Sequence, residues 1–286
     1  MFTLNCKGRL LVVDKPLVMG IINTTPDSFY SGSRQQAVDE VLSKAEQMLN
    51  DGATILDLGG QSTRPGSEKL SADEELKRVI APIETISKNF PEAYISIDTY
   101  YSKVAEQAVA AGASIVNDIS AGSIDAAMIE TVAALKVPYV LMHMQGTPQT
   151  MQQQPSYENV TTEVLDFLIK KVNELRKAGI TDVIVDPGFG FGKTIAHNFE
   201  LLRNLSVFKM LNCAVLLGIS RKSTIYKPLG VTADESLNGT TALNTIGLMN
   251  GASILRVHDV KEAIEIIKLF AAYTQAGNTT GPLQAT

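Results

Sequence analysis

The chain has 286 residues, with 25 basic against 30 acidic side chains and a net charge of −5. Interspersed charge of that sign offers no basic stripe for nucleic acid and points instead to a small polar ligand. Only two cysteines, Cys6 and Cys213, lie far apart in sequence, which argues against a disulfide framework, reads as two small buried apolar residues, and fits a reducing, cytoplasmic setting.

Near the N-terminus the apolar run before Asp14 spans only four residues, too short for a signal-peptide core or a membrane span. The stretch CKGRLLVVDK (6–15) reads as a hairpin ahead of the first long strand, placed to close the bottom of the fold. Short apolar runs then recur, each ending in a polar or glycine-rich stretch: LVMGIIN (17–23), TILDLGG (54–60), YISIDT (94–99), SIVNDIS (114–120), PYVLMHM (138–144), DVIVDPG (182–188), AVLLGIS (214–220) and SILRVHD (253–259). Such runs suit strands buried on both faces. Between them lie segments of helical period. In 71–89, Ser71 and Glu74 have capping-box spacing and Leu76, Val79, Ile80 and Ile83 form a stripe; Asp259 and Glu262 repeat the box ahead of 260–270. Further helices run through AVDEVLSKAEQMLN, SKVAEQAVAAG and TEVLDFLIKKVNELRKAG.

Unbroken alternation of eight strands with helices predicts an α/β fold of the (β/α)8 TIM-barrel type, one domain over residues 1–275. A doubly wound open sheet also alternates but rarely needs so many strands in one rhythm. The small, polar tail at 276–286 is expected to fray.

PGFGFGKT (187–194) looks at first like a phosphate-binding P-loop. That motif needs a glycine where Pro187 stands, and proline has no N–H to offer a phosphate. Its glycines read instead as backbone freedom near a ligand, and Lys193 as a solvated loop charge.

In barrels the active site lies at the C-terminal ends of the strands. There the sequence places Asn23, the loop GGQSTRPG (59–66), Asp98, Asn117 and Asp118, His143, Asp186, the SRK run (220–222), and Arg256 with His258. Asp118 and Asp259 fit a plain capping role. Asp98 and Asp186 fit it poorly, because each directly follows β-branched residues and would be an isolated buried carboxylate. His143 is equally compatible with a satisfied structural histidine and a catalytic one. A carboxylate reads an amidine-like N–H/NH2 edge bidentately, as guanine-like or pterin-like rings present it. Asn23, Thr63, Arg64, Arg256 and His258 would suit a phosphate or diphosphate.

These residues lie in stretches by which the chain resembles the dihydropteroate synthases, folate-pathway enzymes of the pterin-binding barrel family. The likeness runs through MGIINTTPDSF, DLGGQSTRPG, NDIS, LMHMQGTPQTMQ, DPGFGFGKT, GISRKS and LRVHDV, in the family's order. It implies a transferase that joins 6-hydroxymethyl-7,8-dihydropterin diphosphate to p-aminobenzoate, with Mg2+. By that resemblance Asp98, Asn117, Met142, Asp186, Phe191, Gly218 and Lys222 would form the pterin site. Asn23, Thr63, Arg256 and His258 would take the diphosphate, with Asn23 as the Mg2+ ligand. Phe29, Thr63, Arg64, Pro65, Phe191, Arg221 and Ser223 would take the aminobenzoate, Ser223 at the start of a helix whose free N–H groups favour a carboxylate. Asp98, Lys222, Arg256 and His258 would carry the chemistry: diphosphate leaves first, met by Arg256, His258 and the Mg2+ at Asn23 as cations, then the neutral arylamine attacks without a dedicated base. A homodimer is also implied.

The first loop departs from the family's commonest NVTPDSFSDGG, with Tyr30 and Ser31 where a Ser-Asp pair is usual, and DTYY (98–101) differs from the usual DTSK. Segments 25–34 and 62–69, long and rich in Gly, Ser and Pro, are expected to order over bound aminobenzoate. Methyltetrahydrofolate-dependent methyltransferases share the pterin-reading residues but lack the STRPG and SRKS loops. A non-catalytic pterin-binding paralogue would lose the aminobenzoate or diphosphate contacts.

Overall fold

Lys7 and Gly8 take φ of 54° and 85°, the paired left-handed geometry whose twist suits a two-residue antiparallel turn. In the computed structural model, which describes residues 1–24, 34–61 and 69–276, this turn joins β1 (Phe2–Cys6) to β2 (Arg9–Val13). The expected hairpin is present, but its first strand begins at Phe2, ahead of the apolar run that signalled it. Alternation buries Leu4, Cys6, Leu11 and Val13 on one face. That face packs against Leu17, Met19, Ile55, Ile115, Val140 and Ile184, residues near the N-terminal ends of the barrel strands. The hairpin is the floor of the barrel.

The eight apolar runs become β3 (Leu17–Asn23), β4 (Ile55–Gly59), β5 (Tyr94–Asp98), β6 (Ile115–Asp118), β7 (Tyr139–Met142), β8 (Val183–Asp186), β9 (Ala214–Leu217) and β10 (Ile254–Val257). Each pairs parallel with the next, and β10 closes the barrel on β3, Ile254 opposite Leu17. Burial on both faces explains why the runs are continuously apolar rather than alternating.

The helical segments become α1 (Arg34–Asn50), α2 (Ala72–Asn89), α3 (Ser102–Ala111), α4 (Met128–Leu135), α5 (Val160–Lys177), α6 (Ile195–Arg203), α7 (Ser223–Leu229), α8 (Leu237–Met249) and α9 (Val260–Ala276). The box ahead of α2 forms as its spacing predicts: Glu74 N–H donates to the Ser71 hydroxyl at 3.3 Å, and Ser71 N–H to the Glu74 carboxylate at 2.9 Å. Ahead of α9 the Asp259 carboxylate instead takes Arg221, at 2.6 and 3.0 Å. From residue 277 onward the tail lies outside the described residues.

If the hairpin is the floor of the core, Leu11→Ala should lower stability by about 2–5 kcal/mol, read as a shifted urea midpoint. A loss below about 1 kcal/mol would mean that the barrel is closed without it.

Candidate active site

Parallel register brings three polar residues and a glycine of four neighbouring strands into one layer at the C-terminal mouth: Asn23 lies opposite Gly59, Gly59 opposite Asp98, and Asp98 opposite Asn117. Gly59 lies directly beside the acid, a Cβ there standing 3.5 Å from that of Asp98. Asn23 makes no hydrogen bond to another described side chain and is half-buried at the end of β3.

Arg256 reaches from β10 into this layer. Its Nε donates to Asp57 Oδ2 and one Nη to Asp98 Oδ2, both at 2.6 Å. Asn117 Nδ2 donates to the same Asp57 oxygen at 3.1 Å. Asp57 is fully buried, and the guanidinium and the Asn117 amide give its carboxylate Oδ2 the polar partners that burial requires. Arg256 is therefore not a solvated surface residue. Burial works against its charge, but Asp57 and Asp98 hold it above the ordinary arginine range. Burial pushes the Asp98 carboxyl up to about 7, against the pull of Arg256 and with the charge of Asp57 adding to the rise. A carboxyl poised there changes charge within the neutral range.

Across the mouth lies a second polar pair. Asp186, buried at the end of β8, accepts from Gly188 N–H at 2.7 Å; burial raises it, and Lys222 opposes the rise. Gly218 lies between the two, because a Cβ there would be 3.6 Å from Asp186 Oδ2 and 3.9 Å from Lys222 Nζ. Burial draws Lys222 down to about 8. Its ammonium donates to Phe189 O and lies 4.6 Å from the centre of the Phe191 ring. Phe191 packs in turn with Met142, Tyr100, Ile119 and Met151. A carboxylate, a cation and an apolar wall thus line one slot, a combination that suits a flat heterocycle with both donor and acceptor edges.

His258 follows β10, with Nδ1 facing the Ser220 hydroxyl at 3.0 Å. Burial, then the charges of Arg256 and Arg221, pull it down to about 4. It is a neutral hydrogen-bonding group here and not the cation expected of strand eight; an anion bound beside it would raise it again. Arg221, at a φ of 54°, is held by Asp259 and Asp234. Lys222 caps α7 and Ser223 is its first residue, as the sequence suggests. His143 takes the structural role: its Nδ1 lies 2.9 Å from Lys193 Nζ and its ring packs edge-on against Phe167. Burial pulls it down to about 3. Lys193 is only 3% exposed, which overturns its reading as a solvated charge. Asp118 keeps its capping role, accepting from the N–H groups of Ser120 and Gly122 and from the Tyr139 hydroxyl. Phe29, Thr63, Arg64 and Pro65, and with them nearly all of segments 25–34 and 62–69, lie outside the described residues.

The family model for pterin-binding enzymes matches residues 19–258, from β3 to the end of the β10 loop. The chain belongs to the pterin-binding enzyme family. It is 43% identical to the dihydropteroate synthase of Escherichia coli K12 over 272 residues, 94% of this chain and 96% of that protein. Its backbone is similar to that of Yersinia pestis dihydropteroate synthase in a sulfonamide drug complex, with a TM-score of 0.90, 39% identity and coverage of 96% of this chain and 100% of that one. The Xanthomonas albilineans dihydropteroate synthase in complex with 7,8-dihydropteroate superposes with a TM-score of 0.86 at 36% identity, over 95% of this chain and 98% of that one.

In this family member, one site residue escaped the sequence reading. Asp57 sits mid-strand in ILDLG, and a carboxylate flanked by leucines on a doubly buried strand was the available signal. Asp57→Ala should cost about 3–5 kcal/mol in a denaturant titration, because Arg256 and Asn117 lose a buried acceptor. Unchanged stability would mean that Asp98 alone satisfies the guanidinium.

Proposed function

We propose that the chain is a dihydropteroate synthase, joining 6-hydroxymethyl-7,8-dihydropterin diphosphate to p-aminobenzoate with release of diphosphate. The observation that carries this reading is the slot between Asp186, Gly218 and Lys222 beside the Asp57, Asp98 and Arg256 network, in a chain so like dihydropteroate synthases over nearly its full length. Asp186 would take the N–H/NH2 edge of the pterin, Asn117 and Asp98 other ring nitrogens, and Met142 and Phe191 the ring faces. Lys222 would meet the carbonyl side.

In the reaction the bond from the pterin methylene carbon to the diphosphate oxygen breaks, and its electron pair leaves with the diphosphate. The ring nitrogens spread the positive charge left on the pterin. The Asp98 carboxylate stabilises that cation, while Arg256, with its second Nη unengaged by any described residue, and the His258 ring face the leaving anion. The amine nitrogen of p-aminobenzoate then bonds to the methylene carbon and sheds a proton to solvent or to diphosphate. An arylamine is neutral near pH 7, so no dedicated base is needed. Thr63, Arg64, Pro65 and Phe29, with Arg221 and Ser223, are the residues proposed to frame the aminobenzoate.

Among the described residues no group of three or more His, Cys, Asp and Glu side chains could hold a metal. The donor set fits Mg2+ only as an ion that arrives with the diphosphate, adding the uncommitted amide oxygen of Asn23 to phosphate oxygens. When bound, Mg2+ would supply positive charge to the leaving group. A homodimer is proposed as well, supported by exposed Leu229, Ile246, Met249, Leu269 and Tyr273 on helices α7 to α9. No helix of the described residues is long and apolar enough to cross a membrane. A cytoplasmic location is supported by two buried, unpaired cysteines.

Purified protein given both substrates and Mg2+ should form dihydropteroate and diphosphate in equal amounts, and Lys222→Ala should abolish both. Tight pterin binding without product would identify a non-catalytic paralogue instead. Since Asp98 is raised to about 7, its carboxylate is present above that pH and is lost as pH falls through it. The kcat/KM for the dihydropterin substrate should therefore decline below about pH 7, and the decline should vanish from the residual activity of Asp98→Asn. A flat profile through that pH would remove Asp98 from the charge-stabilising role.

A further inference from the structure

Gly188, Phe189, Gly190, Phe191 and Gly192 alternate residues with positive φ (74°, 81° and 62° at the glycines) and buried aromatics. At Gly188 a Cβ would collide with the carbonyl oxygen of His143, and at Gly192 it would stand 2.5 Å from that of Gln145. The loop is thus laid flat on the backbone that follows β7, where no side chain fits. This curl turns each successive carbonyl toward a side-chain donor. Lys193 Nζ takes Gly188 O and Phe191 O, both at 3.0 Å; Lys222 takes Phe189 O; Gln152 takes Gly190 O; and the Tyr157 hydroxyl takes Gly192 O at 2.8 Å.

Of these donors Lys193 is the one that physical chemistry would least expect. Its ammonium is buried and has no carboxylate within bonding distance; its partners are neutral, the two loop carbonyls with His143 Nδ1 at 2.9 Å and His143 O at 3.3 Å. Burying such a charge costs several kcal/mol before any hydrogen bond offsets it. Burial draws Lys193 down to about 7, with Asp186 opposing the fall. A neutral side chain would hold a merely structural loop at less expense, as the Asn198 amide oxygen does by accepting from Gly190 N–H. Three groups of the slot hang on the backbone that Lys193 gathers: the Gly188 N–H that fixes Asp186, the Phe189 carbonyl that receives Lys222, and the Phe191 ring beneath that ammonium.

We propose that Lys193 is a positioning residue of the pterin site, drawing Gly188 O, Phe191 O and His143 together so that Asp186, Lys222 and the Phe191 ring are held in register for the heterocycle. The proposal rests on the pterin reading above, and wild-type protein run alongside separates the two: a wild type that binds no dihydropterin diphosphate refutes the reading itself. Calorimetric titration with dihydropterin diphosphate and steady-state kinetics with both substrates should be made on Lys193→Met and on Lys193→Gln, which restores one donor. For folded Lys193→Met, Kd and KM for the dihydropterin diphosphate should rise about 10- to 100-fold, as small misplacements of binding groups do. The KM for p-aminobenzoate should stay within about twofold, and Lys193→Gln should recover part of the loss. A folded Lys193→Met with wild-type Kd and a lower melting temperature alone would overturn the proposal. If neither variant folds, wild-type protein labelled with 15N-lysine decides the matter. A protected Nζ resonance that moves when the dihydropterin diphosphate is added upholds the proposal, and one that stays in place overturns it.

Discussion

One guanidinium shared by two acids inside the barrel mouth sets the terms for everything around it. Asp57, fully buried, and Asp98 both pair with Arg256, and a guanidinium buried at that depth is matched by the two acids that accept from it. Through the Asp57 oxygen the same cation reaches Asn117, so β4, β5, β6 and β10 are tied at the level where a ligand would sit. Its field also acts outward. It opposes the rise of Asp98, lowers Lys222 and helps hold His258 neutral. Protonation on both sides of the mouth is thus set first by burial and then biased by a residue whose own charge is fixed.

The two halves of the mouth answer different chemical demands. Around Arg256 the groups are arranged for charge, with one guanidinium donating a single short bond to each of two carboxylates. Around Asp186 and Lys222 they are arranged for shape: an apolar wall, a glycine set between acid and cation, and a loop curled by its own carbonyl contacts. Precision on the second side comes from backbone, which explains why so much of it is glycine.

Asp98, Asn117 and Asp186 were legible in the sequence because each ends an apolar run, and strand ends in a barrel share one rim. The strands themselves were legible for the same reason, double burial leaving continuous apolar text. Asp57 was hidden because it lies inside such a run, where the pattern reads as strand and only the cation from β10 explains the carboxylate. Lys193 was misread because a lysine after a glycine-rich turn looks solvated; the partner that draws it inward, His143, lies 50 residues earlier. His258 was read as a cation because it stands two residues from Arg256 at the barrel rim, whereas burial beside fixed positive charges removes its proton. Each miss concerns a long-range contact, which residue spacing does not encode.

The strand that carries Arg256 is also the last of the eight barrel strands in chain order. Its partners lie 199 and 158 residues earlier in the chain, and β10 joins the sheet by pairing with β3 and β9. Until that seam closes, Asp57 and Asp98 sit close together with no cation between them, and their repulsion opposes compaction of the mouth. Ring closure over such a separation is entropically slow. Completion of the barrel and the pairing of its two acids with their cation are therefore one event, so the strand that closes the sheet is also the one that relieves the repulsion inside it.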